Sequence, residues 1–201
     1  MSKSRVKGFT LIEVIGAIAV VALLAGIITP SVIKHLDDSK RARAQNDALV
    51  IGAALSSFYK DNGGWPTKDS AATFNLILLV GDGNTPTSAN AAAANWVLAP
   101  AAANADLMAY HLINNRPKNV VANAYPLPPG EIAWRGPYQP TLPTDPWGNR
   151  YAVNIGNMAR ANAVWVLSAG PDGIVQTAFS QAIPANGVLT TTGDDIGYRM
   201  K

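Results

Sequence analysis

The chain has 201 residues, a formal net charge of +3 from 16 basic and 13 acidic side chains, and no cysteine. Three basic residues precede Gly8 and account for the whole excess: Lys3, Arg5 and Lys7. The side chains after Gly8 therefore have no formal net charge. This charge balance gives no sign of a nucleic-acid-binding surface, so no nucleic acid is expected as a partner, and the lack of cysteine excludes a disulfide framework. Stability must therefore come from the core, from neighbouring subunits or from a bound metal.

A long apolar segment follows the basic leader. Residues 14–33 carry no charged side chain and consist mainly of Ala, Val, Ile and Leu. As a helix with a rise of about 1.5 Å per residue, this segment reaches about 30 Å, the thickness of the hydrocarbon core of a bilayer. The positive charges ahead of it predict a cytoplasmic N-terminus and an external C-terminal domain. Glu13 lies at the edge of this span, where a carboxylate requires a partner.

The motif KGFTLIE at residues 7–13, followed by an apolar helix, resembles the class III leader of type IV pilins and type II secretion pseudopilins. The resemblance implies that a prepilin peptidase cuts between Gly8 and Phe9 and methylates the new amino group of Phe9. It also implies that Glu13 pairs with such an amino group, its own or that of a neighbouring subunit, during assembly. The alternative is a signal anchor with an incidental glutamate.

This reading divides the chain into a cleaved leader at residues 1–8, a membrane and polymerisation helix at 9–33, and a periplasmic globular domain at 34–201. Apolar residues recur at helical spacing from Ala44 to Tyr59, which predicts one helix from about Phe9 to about Asp61. Pro30 predicts a kink within it. The glycines that follow residue 62 predict its end.

The middle of the chain contains two segments of different composition. Residues 67–80 show a short amphipathic pattern that we interpret as a second helix. Residues 85–129 are rich in Ala, Asn and Pro, and we interpret them as an insertion or a variable surface with one helix at about 105–114.

In the last third of the chain, the pattern of apolar residues changes from helical spacing to that of strands. Residues 151–155 and 163–168 read as strands separated by a hairpin-length loop. We therefore predict an α+β, pilin-like fold in which a long N-terminal helix, membrane-spanning in its first half, packs on a small antiparallel sheet.

Four motifs in the last third resemble the major, G-type pseudopilin of type II secretion: WRGPY at 134–138, DPWGNRY at 145–151, SAGPDG at 168–173 and DDIG at 194–197. The resemblance implies a structural subunit of a bacterial inner membrane, which polymerises through its N-terminal helix to drive protein export across the outer membrane. The implied partners are copies of the same chain in a helical filament, prepilin peptidase, minor pseudopilins, an inner-membrane assembly platform with its ATPase, and an outer-membrane secretin.

Asp172, Asp194 and Asp195 form the one convincing polar constellation of the sequence. Asp172 lies in a Pro-Asp-Gly turn, and a loop folding back from the later pair would gather three hard oxygen donors, the ligand type that calcium prefers. The alternative is that Asp172 makes an Asx-type turn and that the pair is solvated. The resemblance implies a calcium site at these three carboxylates, with the backbone carbonyl of Ala169 as a further ligand.

No enzyme motif accompanies these features. His35 and His111 are the only histidines and lie on distant segments, which disfavours a histidine-based triad or zinc site. A nucleophile elbow and a phosphate loop are also absent from the sequence. The alternative function is a type IV pilus subunit or a minor pilin, acting as a membrane-tethered adhesion or binding module through residues 85–129.

Overall fold

The computed structural model describes residues 8–201. Its first element, α1, is a single helix of 52 residues, Leu11–Asn62. The chain forms two units, one ending at Lys40 and one comprising Arg41–Lys201, and we call the second unit the head. The prediction of one continuous helix through both segments is confirmed.

Within the head, α1 buries one stripe of side chains. Its buried residues are Ala44, Ala48, Ile51, Gly52, Ala54, Leu55 and Phe58. Spacings of three and four residues place them on one face of the helix. The helix ends where Gly63 adopts a φ of +63° and its N–H donates to the Tyr59 carbonyl at 2.8 Å, because glycine enters the left-handed region without steric cost. The helix runs through Pro30 without interruption, and the predicted kink there stays a prediction.

Seven short strands follow: β1 (Leu78–Val80), β2 (Thr87–Ser88), β3 (Ala105–Leu107), β4 (Ala152–Val153), β5 (Trp165–Ser168), β6 (Ile174–Val175) and β7 (Ile196–Arg199). Five of them form one sheet in the order β3-β1-β4-β5-β7, and β2 pairs with β6 in a second, parallel sheet. The α+β class is confirmed, and so are the two strands predicted near residues 151–155 and 163–168.

The main sheet is mixed rather than wholly antiparallel. β1 and β3 are parallel, whereas the pairs β1–β4, β4–β5 and β5–β7 are antiparallel. A parallel pair needs a crossover connection, which here contains the short 3₁₀ helix Ala91–Val97. The mixed topology therefore depends on the middle segment, residues 85–129. The composition of this segment did not indicate that role.

The predicted second helix at residues 67–80 is wrong. Residues 78–80 form β1, and no helix occurs in residues 67–77. β1 lies between β3 and β4 and is buried along its whole length. A strand covered on both faces is a continuous apolar run, which periodicity alone cannot distinguish from a buried helix.

The middle segment contributes to the core and is not only surface. A short helix, α2 (Met108–Leu112), directly follows β3 and replaces the longer helix predicted at about 105–114. Trp96, Ala105, Met108 and Leu112 are fully buried. A few large side chains in an alanine-rich segment are thus enough to anchor it.

Alternation along the strands gives the sheet two apolar faces. Leu79, Val153 and Val166 pack with Ile51, Leu55 and Phe58 of α1. Their neighbours Leu78, Val80, Ala152, Trp165 and Leu167 pack on the other side with Trp96 and Phe179. The core therefore has three layers, and the loops between strands emerge at its edges.

Candidate functional site

The first candidate site is the start of α1. Residues 8–10 precede the helix and are exposed, with Phe9 exposed to 86%. The Thr10 N–H and hydroxyl each donate to Glu13 Oε2 at 2.9 Å, and the Glu13 N–H donates to Thr10 Oγ1 at 3.4 Å. This is a capping box, in which a threonine and a glutamate three residues later satisfy free donors of the first turn.

The capping box gives Glu13 a partner within its own chain. The sequence analysis expected that partner to be the amino group of Phe9, in the same chain or in a neighbouring subunit, and missed Thr10, although the Thr-x-x-Glu spacing is a known signal of a helix start. The Gly8–Phe9 bond, the predicted cleavage site, lies just outside the helix in exposed backbone. Cleavage, methylation and intersubunit pairing at these residues stay predictions.

The apolar part of α1 is exposed in the part of the chain that the structure describes. The helix is long and apolar enough to cross a membrane, and none of its most apolar stretch is buried. The exposed large side chains are Leu11, Ile12, Val14, Ile15, Ile18, Val20, Val21, Leu23, Leu24, Ile27, Ile28, Val32 and Ile33. An apolar surface of this extent requires lipid or protein around it.

The second candidate site comprises residues 169–177 and 191–195, which we call the acidic loop site. The Asp172 N–H donates to Asp194 Oδ2 at 3.3 Å, so the two loops meet as the sequence predicted. Asp172 also accepts from the Ile174 N–H at 2.7 Å, which is the Asx-type turn considered as an alternative. Gly170, with a φ of +68°, lies so close to the Asp194 backbone that any Cβ there would clash.

Asp195 is the buried carboxylate of this site. It is 5% exposed, and its Oδ2 accepts from the N–H groups of Gln176 at 3.0 Å and Thr177 at 2.6 Å. Burial raises its pKa above the ordinary value, although those hydrogen bonds oppose the shift. Its Oδ1 is buried and has no hydrogen-bond partner among residues 8–201. Asp195 is therefore not the solvated residue of the alternative reading.

The donor set fits calcium in its chemistry. It contains only oxygen ligands, and one buried carboxylate oxygen lacks a partner, which is where a hard cation would be accommodated. Ala169, whose carbonyl was the predicted fourth ligand, is buried directly before Gly170. Across residues 8–201, however, no group of three or more His, Cys, Asp or Glu side chains is arranged to hold a metal. Within these residues the structure therefore does not bring Asp172, Asp194 and Asp195 together as a metal-binding group.

A buried polar network lies elsewhere in the head. His111 Nε2 and Asp106 Oδ2 are 3.0 Å apart, and His111 Nδ1 lies 2.8 Å from the Tyr125 hydroxyl. The Lys118 N–H donates to the same Asp106 oxygen at 2.6 Å. Burial lowers the pKa of His111. The sequence analysis missed this network because its members come from separate turns of the middle segment.

An N-terminal apolar helix whose second half packs on an α+β head is consistent with a pilin-like fold. Two family models match the chain: "Prokaryotic N-terminal methylation motif" at residues 3–29 and "Type II secretion system (T2SS), protein G" at residues 106–183. Together they cover the helix start and much of the head.

Curated relatives point in the same direction. The chain is 27% identical to type II secretion system core protein G of Escherichia coli (strain K12) over 171 residues, 85% of this chain and 86% of that protein. It is 26% identical to the Aeromonas hydrophila protein of the same name over 175 residues, 86% of this chain and 88% of that protein. It is also 39% identical to fimbrial protein EcpC of Eikenella corrodens, but over 72 residues only, 36% of this chain and 47% of that protein. No solved structure matches.

The chain is thus similar to type IV pilin-like proteins and, among them, to the G-type pseudopilins of type II secretion, and these matches support a structural subunit of a pseudopilus. The resemblance drawn from the leader and from the motifs of the last third is confirmed. The methylation motif and the apolar helix together indicate a membrane-anchored protein of a protein-transport system.

Proposed function

We propose that the chain is stored in the bacterial inner membrane, with its N-terminus in the cytoplasm and its head in the periplasm. From there it polymerises through the apolar part of α1 into a filament that drives proteins across the outer membrane. The observation that carries this proposal is the row of exposed apolar side chains from Leu11 to Ile33. Packing that row against copies of itself replaces lipid contacts with protein contacts, so one helix serves both states.

Glu13 has a specific role in this proposal. In the single chain its carboxylate accepts hydrogen bonds from Thr10. Removal of the leader after Gly8 creates a charged amino group on Phe9, and methylation leaves a charged donor. A neighbouring Phe9 then offers Glu13 a charge-assisted hydrogen bond, which is stronger than a neutral one. Pairing at this single position in an apolar bundle sets the register between subunits.

Calcium at the acidic loop site is the second part of the proposal. Asp172, Asp194, Asp195 and the carbonyl of Ala169 would hold the ion, which supplies positive charge for the buried Asp195 carboxylate. A bound ion would join residues 169–177 to residues 191–195 and stabilise the head of a chain that has no disulfide. Isothermal titration of the full chain in detergent with calcium tests this part, with one bound ion per chain as the expected result.

The proposed partners follow from this assembly. Prepilin peptidase acts on the Gly8–Phe9 bond, and an inner-membrane platform with its ATPase adds subunits. Minor pseudopilins and an outer-membrane secretin complete the path. The alternative of a pilus subunit or adhesion module is not favoured, because the match to fimbrial protein EcpC covers 47% of that protein whereas the matches to core protein G cover most of theirs.

Substitution of Glu13 tests the filament proposal. Glu13→Ala is expected to abolish filament assembly while leaving membrane insertion and leader cleavage intact, measured by shearing, fractionation and the size of the mature chain. Glu131, the other glutamate of the chain, is exposed in the head, so Glu131→Ala is the matched control and is expected to assemble. Wild-type amounts of filament from Glu13→Ala would overturn the proposal.

A further inference from the structure

Gln176 occupies the centre of the acidic loop site, although sequence analysis did not select it. Its backbone N–H donates to Asp195 Oδ2 at 3.0 Å, and its side-chain Nε2 donates to Asp172 Oδ2 at 2.9 Å. It therefore contacts one carboxylate from each of the two loops. Its side-chain oxygen Oε1 is buried and has no hydrogen-bond partner among residues 8–201.

The surroundings hold this side chain in place. Gln176 directly follows β6, whose backbone is paired with β2. Gly193, at a φ of +68°, lies against it so closely that a Cβ at that position would be 2.8 Å from Gln176 Cδ. The amide orientation is also determined, because Nε2 must face the Asp172 carboxylate as a donor. Oε1, the other polar atom of the amide, consequently remains a free acceptor among residues 8–201.

Two buried oxygens at this site thus lack partners: Oδ1 of Asp195 and Oε1 of Gln176. A buried acceptor without a donor costs free energy, and native structures seldom leave two in one place without a bound group. Neither oxygen can satisfy the other, because both are acceptors. A cation can satisfy acceptors of both kinds, because calcium accepts side-chain amide oxygens as well as carboxylates.

We propose that Gln176 Oε1 is a further side-chain ligand of the cation held by the acidic loop site. This inference rests on the calcium part of the proposed function and deepens it. Gln176 would supply an oxygen that a site without a cluster of three carboxylates needs: the amide offers a neutral oxygen while its Nε2 orients Asp172. One side chain thereby serves both as a ligand and as a positioning group.

The test is calcium titration of the full chain in detergent, with variants of similar size. Gln176→Met removes the oxygen and is expected to weaken calcium affinity about tenfold or more, in line with losses at metal sites. Gln176→Glu retains an oxygen, adds charge and loses the donor, so it is expected to bind calcium at least as tightly as the wild type. Gln139 also has a buried side-chain oxygen without a hydrogen-bond partner in the described part of the chain. Gln139→Met is therefore the matched control, with unchanged affinity expected.

The outcomes separate the alternatives. Unchanged affinity in Gln176→Met overturns the inference, and the melting temperature without calcium then shows whether the residue is merely structural. Equal weakening in the Met and Glu variants also overturns it, because that result assigns the effect to the lost donor. A wild type that binds no calcium overturns both this inference and the calcium part of the proposed function, whereas the filament proposal is decided separately by Glu13→Ala.

Discussion

The two parts of α1 differ in what their apolar side chains contact. Within the head, Ile51, Leu55 and Phe58 are fully buried against the sheet and the turns beside it. Before residue 34, side chains of the same chemistry, such as Ile18 and Leu23, remain 64% and 70% exposed. Apolar side chains of α1 are therefore buried by the chain itself within the head and remain exposed before residue 34.

This difference separates folding from assembly. Side chains in the head part contribute to the free energy of unfolding, because burying apolar area is the main stabilising term in folding. Side chains in the first part contribute nothing to that quantity until lipid or another subunit covers them. Substitutions in the two parts should consequently change different measurements.

The largest expected effect on stability is at Phe58. Its ring meets Tyr125 at 4.9 Å and Tyr138 at 5.5 Å, both edge-to-face. Phe58→Ala is expected to lower the free energy of unfolding by about 3–5 kcal/mol, measured by urea denaturation of the full chain in detergent. Leu49, 48% exposed on the same helix, gives the control: Leu49→Ala should change stability by about 0.5 kcal/mol or less. Equal effects at both positions would contradict the comparison.

A charge introduced into α1 before residue 34 should affect membrane insertion and assembly and leave the stability of the head unchanged. Ile18→Asp is expected to disfavour membrane insertion by about 2.5–3.5 kcal/mol and to reduce filament formation, while denaturation of the head stays as in the wild type. Carbonate extraction measures the first effect and shearing the second. Ile18→Ala, which keeps the segment apolar, should insert normally. A large loss of head stability in Ile18→Asp would show that the two parts are coupled.

The smallest expected effect is the pH dependence of head stability. It comes from His111, which contacts Tyr125, the same ring that Phe58 meets. His111 faces Asp106 and Tyr125, and Lys118 completes the charged groups around it. Because burial lowers its pKa in the folded state, the unfolded chain binds more protons once the pH falls below about 6.5. Stability from this group is therefore fully present above that pH and is lost as the pH falls towards the folded-state pKa.

The expected loss is about 1.4 kcal/mol for each unit by which the His111 pKa is lowered. Thermal denaturation between pH 7.5 and 5.5, a window chosen to lie about the ordinary histidine pKa, measures it. His111→Gln should flatten the profile, whereas His35→Gln should leave its shape unchanged. A profile that is flat already in the wild type would show that folding does not shift the pKa of His111.

Several features could be predicted from sequence because they depend on neighbouring residues. The helix through Asp61, its end at Gly63, the strands β4 and β5, and the leader motif all follow from local spacing and backbone preference. The prediction at residues 67–80 failed for a definite reason, since only the placement of β1 between two strands explains its uninterrupted apolar run.

The candidate sites divide in the same way. The Thr10–Glu13 capping box is local, and its spacing is visible in the sequence. Asp172 and the pair at 194–195 could be selected as acidic residues near turns, but that Asp195 is buried while Asp172 is exposed depends on how β6 and β7 approach. Gln176 carried no signal, because an amide becomes informative only when its oxygen is buried without a partner.

The sequence by itself therefore determined the class of protein, the long helix and the apolar surface that assembly requires, because those properties lie in residues close together along the chain. The tertiary structure alone decided which apolar residues the chain covers itself, the parallel pairing of β1 with β3, and the meeting of Gln176 with two loops. These depend on contacts between residues far apart in sequence, whose geometry is set only when the sheet and helix pack together.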